Sequence, residues 1–182
     1  PLNNLKIKQV FLQPWPGNAG YLGNIVCTAT KVSKQYLLHV VLLAESELNE
    51  NLLYAGTDDG ILQMTKDGGN NWTKMTVNQL PGVPESAFVN DIKADLFNEN
   101  VAYVALDNHK FGDYKPYLLK TTNGGKKWTS ITNGIPDNTL VWRLVQDHVN
   151  PNLLFLATEY GVYVSFNQGG KWHKFSNGLP TI

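Results

Sequence analysis

The stretch TKDGGNNW, residues 65–72, decides the fold because the chain repeats its pattern twice more. TTNGGKKW follows at 121–128 and SFNQGGKW at 165–172, so that all three octets fit Ser/Thr-x-Asp/Asn-x-Gly-x-x-Trp. The sequence upstream repeats as well, since LLYAGTDDG at 52–60 matches LLFLATEYG at 153–161. Self-similarity at a fixed period indicates a repeat architecture. The sequence therefore predicts three copies of one structural unit.

The period and the residue pattern predict the unit. Tyr54, Tyr103 and Phe155 occupy equivalent points, 49 and then 52 residues apart, which is the length of one propeller blade. Each copy contains four short runs of β-branched or aromatic residues bounded by Gly, Asn and Pro, and no segment keeps a helical period. In the second copy the predicted strands are 89–94, 101–106, 117–122 and 128–132. We expect an all-β chain of four-stranded antiparallel units.

The octet lies between the third and fourth strands of each unit, so it has to reverse the chain tightly. Hydroxyl and Asp/Asn side chains can bond back to nearby backbone N–H groups, glycine supplies positive φ, and tryptophan covers the turn. We therefore interpret the acidic residue of the octet as structural. The residues concerned are Thr65, Asp67, Gly69 and Trp72; Thr121, Asn123, Gly125 and Trp128; and Ser165, Asn167, Gly169 and Trp172.

The octets resemble the Asp-box, or bacterial neuraminidase repeat, of sialidase, xyloglucanase and sortilin-like β-propellers. The longer segments around the octets, such as LLYAGTDDGILQMTKDGGNNWTKM from Leu52, look most like the sequences of bacterial sortilin-like proteins with glycosyl-hydrolase-like repeats. The resemblance covers residues 37 to 180. It implies a partial β-propeller with blades at 37–87, 88–138 and 139–182. Residues 1–36 carry no octet and are predicted to supply strands of a preceding blade.

Three blades are fewer than the four to eight that close a typical propeller. An open ring leaves sheet faces and edges exposed, which favours aggregation. Two explanations are compatible with the sequence. The chain is a piece of a longer protein whose remaining blades close the ring, which we favour, or it forms a homodimer that closes a six-bladed ring.

The propeller geometry implies where a ligand would bind. The turns between second and third strands share one end of the blades, opposite the octets. The longest of these connections, DNHKFGDYKP at 107–116, is in the second copy. A mixture of carboxylates and aromatic rings there suits a glycan or a peptide. The predicted ligand-binding residues are Asp59, His109, Tyr114, Lys115 and Tyr160.

Catalysis is the less favoured hypothesis. The sialidases that the octets resemble bind the sugar carboxylate with three arginines, and this chain has only Arg143. A glycosidase of the xyloglucanase kind needs two carboxylates about 5 to 9.5 Å apart. The spacing of the candidate acids in this chain singles out no such pair, and we interpret these residues as turn acids exposed to solvent. The candidates by position are Asp58, Asp59, Asp107, Asp113 and Glu159.

Composition excludes other partners and sites. Lys and Arg total 15 against 15 Asp and Glu, so a nucleic-acid partner is not expected. The longest apolar run, at 36–44, is far shorter than the about 20 residues of a membrane-spanning helix. The histidines have no metal-ligand spacing and no cofactor motif occurs, so we predict neither metal nor cofactor. The start lacks the pattern of a signal peptide, yet the Asp-box resemblance implies an extracellular or periplasmic protein. The expected function is a binding or interaction module, with a glycoside hydrolase and a structural platform as alternatives.

Overall fold

The computed structural model describes residues 40–176, so the predicted N-terminal segment 1–36 lies outside the described residues. The described part is all-β, as predicted, and its only helices are single 3-10 turns at Val77–Gln79 and His109–Phe111. The strands are β1 (Val40–Ser46), β2 (Asn49–Thr57), β3 (Ile61–Thr65), β4 (Thr73–Thr76), β5 (Phe88–Ala94), β6 (Ala102–Asn108), β7 (Asp113–Thr121), β8 (Trp128–Ser130), β9 (Val141–Gln146), β10 (Leu154–Thr158), β11 (Gly161–Ser165) and β12 (His173–Phe175).

The strands form three antiparallel four-stranded sheets in sequence order: sheet one (β1–β4), sheet two (β5–β8) and sheet three (β9–β12). The first strand of each sheet breaks register at the same place, where Val41, Asn90 and Trp142 are bypassed in the pairing with the second strand. A repeated bulge at one position indicates that the three units share one backbone design. The predicted fold class, a partial propeller of three four-stranded blades, is confirmed.

The predicted long connection of the second unit is mostly strand. β6 continues to Asn108 and β7 begins at Asp113, and these two residues pair across the hairpin. Only His109 to Gly112 remain as the turn, closed by Gly112 in the left-handed conformation with φ of 76°. The insertion therefore extends a β-hairpin instead of adding a flexible loop.

Two apolar cores hold the sheets together. Every residue of β6 is buried because sheet two lies between the other two sheets. Apolar side chains on both faces explain why this strand reads as a continuous hydrophobic run. The core between sheets one and two contains Tyr54, Leu62, Val89, Ile92, Val104, Leu119 and Trp128. The core between sheets two and three contains Tyr103, Ala105, Leu118, Leu144, Leu156, Tyr163 and Trp172.

The three octets form one hydrogen-bond pattern. In the first, the Thr65 hydroxyl accepts the Gly69 N–H at 3.0 Å and the Asp67 carboxylate accepts the Asn71 N–H at 2.9 Å. The glycine adopts a φ of 93°, as the turn requires. The same two bonds recur from Gly125 to Thr121 and Lys127 to Asn123, and from Gly169 to Ser165 and Lys171 to Asn167, at 2.8–3.0 Å. The octet thus satisfies its own backbone, and its acidic or amide residue is structural.

The octet tryptophans differ in what they join. The indole N–H of Trp72 donates to the carbonyl of Gly69 within its own turn, at 3.1 Å. The indole N–H of Trp172 donates to the carbonyl of Ile131, which follows β8 of the preceding sheet, at 2.6 Å. Trp172 is also almost fully buried. The third octet therefore fastens sheet three to sheet two.

A second repeated turn connects the first and second strands of each sheet. Asp95 accepts the N–H groups of Phe97 and Asn98 at 2.9 and 3.0 Å, and Asp147 does the same for Val149 and Asn150. In sheet one the equivalent position is Ser46, whose hydroxyl accepts the Leu48 N–H. This turn explains the aligned segments around Asn98 and Asn150, whose Asx side chains cap the chain.

Polar bonds set the register between sheets two and three. The buried Asp91 carboxylate accepts the Leu144 N–H at 2.9 Å, and Asn90 donates to the carbonyl of Val141 at 3.1 Å. Burial raises the pKa of Asp91, although the bond from Leu144 opposes that shift. Further along, Gln146 donates to Asp95 at 2.9 Å. These contacts align the starts of β5 and β9, so the two sheets present their ends together.

Candidate functional site

The predicted site residues lie where second strands turn into third strands. We call this the upper end of each sheet; the octets lie at the opposite end because consecutive antiparallel turns alternate. In sheets one and three these turns are short, with Asp58 and Asp59 in one and Glu159 and Tyr160 in the other. In sheet two the turn is the extended β6–β7 hairpin. The upper end of sheet two therefore carries more of the predicted site residues than the upper end of either other sheet.

Asp107 and His109 form a pair at the tip of β6. The Asp107 side chain is fully buried, and its carboxylate accepts the His109 N–H at 2.8 Å and contacts Nδ1 of the same ring. A carboxylate on Nδ1 fixes the orientation of an imidazole. Nε2 is then the ring nitrogen that a ligand can use, and the His109 side chain is 38% exposed. Asp107 therefore positions His109 and is not itself a surface acid.

Two aromatic rings flank the imidazole. Phe88 lies with its ring centroid 6.0 Å from that of His109, and Trp142 lies at 6.3 Å, both edge to face. The ammonium of Lys110 lies 4.5 Å from the centroid of the Phe88 ring. Trp142 is 40% exposed. We call Phe88, Asp107, His109, Lys110 and Trp142 the His109 cluster.

The cluster is assembled from three segments. Phe88 begins β5, His109 follows β6, and Trp142 is the bulged residue of β9 in the next sheet. A bulge redirects the side chain of its extra residue. The interlocked starts of β5 and β9 bring Trp142 from sheet three toward the imidazole of sheet two. The site therefore spans a junction between blades.

The β6–β7 hairpin beside the cluster is internally braced. The Tyr117 hydroxyl donates to Asp113 at 2.5 Å, and the Asn108 amide donates to the same carboxylate at 3.4 Å. Burial would raise the pKa of Asp113, but the bonds from Tyr117, Lys115 and Asn108 lower it overall. The Ser86 hydroxyl donates to Asn108 at 2.9 Å. The hydrogen bonds that Asp113 accepts therefore stabilise the hairpin that carries His109.

The remaining predicted residues lie at the upper ends of the three sheets, in the β2–β3 turn, on β7 and in the β10–β11 turn. Asp59 accepts a hydrogen bond from the Thr57 hydroxyl within its own turn. Tyr114 and Tyr160 are 48% and 59% exposed, and Lys115 and Glu159 are exposed as well. Each candidate acid with an identified partner bonds within its own turn: Asp59 to Thr57, Asp107 to His109 and Asp113 to Tyr117.

A shallow cleft of about 260 Å³ lies beside the hairpin, against the connection between sheets one and two. Lys115 and Asp137 line it with Gly82 and Ser130. Opposite charges around a small polar cleft can bind hydroxyl groups but provide little apolar contact.

Two classes of site can be checked across residues 40–176. No group of three or more His, Cys, Asp or Glu side chains in this range could hold a metal ion. No helix in the same range is long and apolar enough to cross a membrane.

The sequence pattern predicts His109 as a site residue but not the aromatic rings beside it. The predicted first strand of the second copy begins at residue 89, so Phe88 fell just outside it, whereas the structure places Phe88 on β5 and Trp142 on β9. The available signal was the position of both aromatics at the start of first strands. Their closeness to His109 depends on how the sheets pack, which the pattern does not encode.

No protein-family model matches the sequence, and no curated protein does so either. Solved structures do match. An ancestral GH74 enzyme aligns with a TM-score of 0.60 and 24% identity over 78% of this chain and 19% of its own. The GH74 xyloglucanase from Xanthomonas campestris aligns with a TM-score of 0.60 and 14% identity, over 78% of this chain and 24% of its own. YCF48 bound to D1 peptide aligns with a TM-score of 0.57 and 17% identity, over 78% of this chain and 41% of its own.

At these identities the likeness shows the fold alone. These neighbours are β-propellers, which agrees with the three blades of this chain. The chain spans about a fifth of the GH74 structures and two fifths of the YCF48 structure. Their activities and ligands remain properties of those proteins.

Proposed function

We propose that this chain is a propeller binding module that holds a glycan or a peptide at the His109 cluster. The observation that carries the proposal is the buried Asp107 carboxylate, which fixes the His109 imidazole between Phe88 and Trp142. A preorganised group loses little freedom when a ligand binds, so it contributes more to affinity. Exposed aromatic surface beside a fixed polar group is the usual composition of a ligand site.

The chemistry fits a neutral or weakly polar ligand. Half-exposed Trp142 offers a ring face or edge to the apolar side of a sugar or to a peptide side chain. Nε2 of His109 offers one directional hydrogen bond, and Lys110 supplies a cation at the rim. The exposed Tyr114 and Lys115 on the same hairpin extend the contact surface. Asp59 and Tyr160 at the upper ends of the neighbouring sheets complete the predicted set.

A glycoside hydrolase is the second candidate function, supported by the fold shared with the GH74 enzymes. Such an enzyme requires a general acid and a second carboxylate that face one cleft. Asp107 and Asp113 are committed to His109 and Tyr117, which argues against both as catalytic acids. Asp58, Asp59 and Glu159 remain the candidates if catalysis occurs. A structural platform, without a ligand at this end, is the third candidate.

The setting of the module follows from the Asp-box resemblance. We place it outside the cytoplasm, in the extracellular space or the periplasm, where the related propellers are expected. We also propose that its ring is completed by further blades, carried by a longer parent chain or by a second copy. Balanced charge argues against a nucleic-acid partner.

The test begins with the full chain on a glycan array that includes xyloglucan oligosaccharides and on a peptide array. Affinity for the strongest binder is then measured by calorimetry for His109→Ala and Trp142→Ala. We expect each variant to weaken binding at least tenfold, which corresponds to about 1.4 kcal/mol. Phe111→Ala is the matched control, because Phe111 is 68% exposed on the same hairpin but outside the cluster.

Two results would contradict the proposal. Binding that survives both cluster substitutions would place the ligand elsewhere. Absence of binding on both arrays would favour the platform.

As a further readout, Asp107→Asn should change the tautomer of His109 in nitrogen NMR spectra and weaken binding, which a purely structural role for Asp107 would not produce.

A further inference from the structure

Two bulged strands face each other where sheet two packs on sheet three. Asn90 is the bulged residue of β5, and Trp142 is the bulged residue of β9. Each strand lies at the edge of its sheet, so every second residue points its backbone N–H and C=O groups away from the sheet. A side chain of the neighbouring sheet that bonds to such groups therefore fixes the path of the strand.

The side chains of Asn90 and Asp91 bond to β9 on both sides of its bulge. The Asn90 amide donates to the carbonyl of Val141 at 3.1 Å, and the Asp91 carboxyl group accepts the Leu144 N–H at 2.9 Å. Val141 directly precedes Trp142, and Leu144 follows it by two residues. Asp91 is buried, so water does not compete for its bond. We call Asn90 and Asp91 the β5 clamp.

The β5 clamp is not part of the repeated blade design. The register of β1 places Val41 and Leu42 where β5 has Asn90 and Asp91. Hydrocarbon side chains make no hydrogen bonds, and Leu42 packs against the apolar core between sheets one and two. The bulged residue that sheet two brings to that junction is Asn90, which has no aromatic ring. The polar pair thus occurs at the junction whose bulge carries Trp142.

Other bonds join sheets two and three away from the bulge. Gln146, the last residue of β9, donates to Asp95 at 2.9 Å and accepts the Leu96 N–H at 2.8 Å. The indole of Trp172 also bonds across this junction, and its ring belongs to the shared apolar core. These contacts hold the two sheets together without the β5 clamp. The particular effect of the clamp is therefore local, at the bulge of β9.

We propose that the β5 clamp positions Trp142 against His109, so that Asn90 and Asp91 are positioning residues of the ligand site. A bulge redirects the side chain of its extra residue, and bonds on both sides keep that direction fixed. The indole ring then lies with its centroid 6.3 Å from that of the imidazole before a ligand arrives. Such preorganisation lowers the entropic cost of binding. This inference rests on the proposed function of the His109 cluster, but the ring contact is measurable without a ligand.

The test gives β5 the residues that β1 carries at the same positions. Asn90→Val combined with Asp91→Leu removes both bonds and leaves the apolar core between the sheets unchanged. In NMR spectra of the full chain, the Overhauser contact between the ring protons of His109 and Trp142 should disappear. Affinity for the strongest array binder should fall about tenfold, as for Trp142→Ala. Circular dichroism confirms that the variant is folded.

A double-mutant cycle separates positioning from general stability. If the β5 clamp acts through Trp142, replacing it in a Trp142→Ala chain should not weaken binding further. Asp91→Asn is the conservative variant, because its amide oxygen still accepts the Leu144 N–H, and it should retain the ring contact and the affinity. Gln146→Met is the matched control, since it removes bonds between the same sheets away from the bulge. It should lower thermal stability and leave the ring contact in place.

Three outcomes would overturn the inference. One is a folded clamp variant that keeps the ring contact; Asn90→Ala, at a half-buried position, decides this point if the double replacement does not fold. The second is an affinity loss that adds in full to that of Trp142→Ala. The third is loss of the ring contact in Gln146→Met. Absence of an array binder would contradict the proposed function and leave the NMR result to decide the role of the β5 clamp.

Discussion

Two equivalent tyrosines give a test of how the repeat was adapted from blade to blade. Tyr54 and Tyr103 occupy the same position in sheets one and two and are both buried. The Tyr103 hydroxyl donates to Asp95 at 3.0 Å, whereas the Tyr54 hydroxyl has no hydrogen-bond partner among the described residues. The difference arises because Ser46 stands in sheet one where Asp95 stands in sheet two.

Tyr103→Phe and Tyr54→Phe remove one oxygen each and keep the ring. Loss of a hydrogen bond to a charged group costs about 1.5–3 kcal/mol, and Tyr103→Phe should lower the free energy of unfolding by that amount. Removing a buried hydroxyl without a partner relieves its desolvation, so Tyr54→Phe should be neutral or stabilising by about 1 kcal/mol. Burial also raises the pKa of Tyr54 to about 12, with a smaller effect from Glu99.

The assay is urea unfolding followed by far-ultraviolet circular dichroism, with the slope of each transition compared before free energies are subtracted. Ser46→Asp supplies the control, since it places a carboxylate where Tyr103 has one. In that background Tyr54→Phe should become destabilising. Equal losses from Tyr54→Phe and Tyr103→Phe in the parent chain would refute the reasoning.

The octets and turns give further predictions. Trp172→Ala should lower the free energy of unfolding by about 3–5 kcal/mol in the same urea assay, because Trp172 is almost fully buried. Trp72→Ala should lower it by less, because Trp72 is half-buried and its indole bonds within its own turn. Gly134→Ala should destabilise far more than Gly82→Ala in thermal melts. Both have positive φ, but a Cβ on Gly134 would lie 2.3 Å from a backbone oxygen, while nothing lies within 4 Å at Gly82. The backbone and side-chain bonds from Asn71 and the Thr65 bond lower the pKa of Asp67 from 3.8 to about 2. The stabilisation of the first octet by the Asp67 carboxylate should therefore be complete above pH 3.8 and lost as the pH falls through about 2. Amide exchange of the first octet measures this loss. Asp67→Asn should abolish the pH dependence.

The repeat and the strand pattern could be predicted because their causes are local. Thr65, Asp67 and Gly69 bond with one another inside eight residues, so the octet identifies its own turn. Alternating apolar residues between such turns then predict four strands per unit. The prediction failed at 107–116 because the pairing of Asn108 with Asp113, which turned a predicted loop into strand, depends on side chains across the hairpin.

The candidate site could be predicted only in part. His109 was identifiable as a titratable residue in an insertion at the upper end. The burial of Asp107 was not, because the end of β6 is covered on both sides only when the sheets pack.

The sequence by itself determined the number of four-stranded units, the octet turns and the position of His109 at the end of the sheet opposite the octets, since these follow from bonds and periodicities within about 50 residues. Only the tertiary structure decided that Trp142 of sheet three meets His109 of sheet two. It also decided that the face bearing Val145 has no sheet on it within the described residues. Both depend on contacts between residues far apart in the chain, and those contacts form only when one blade packs on the next.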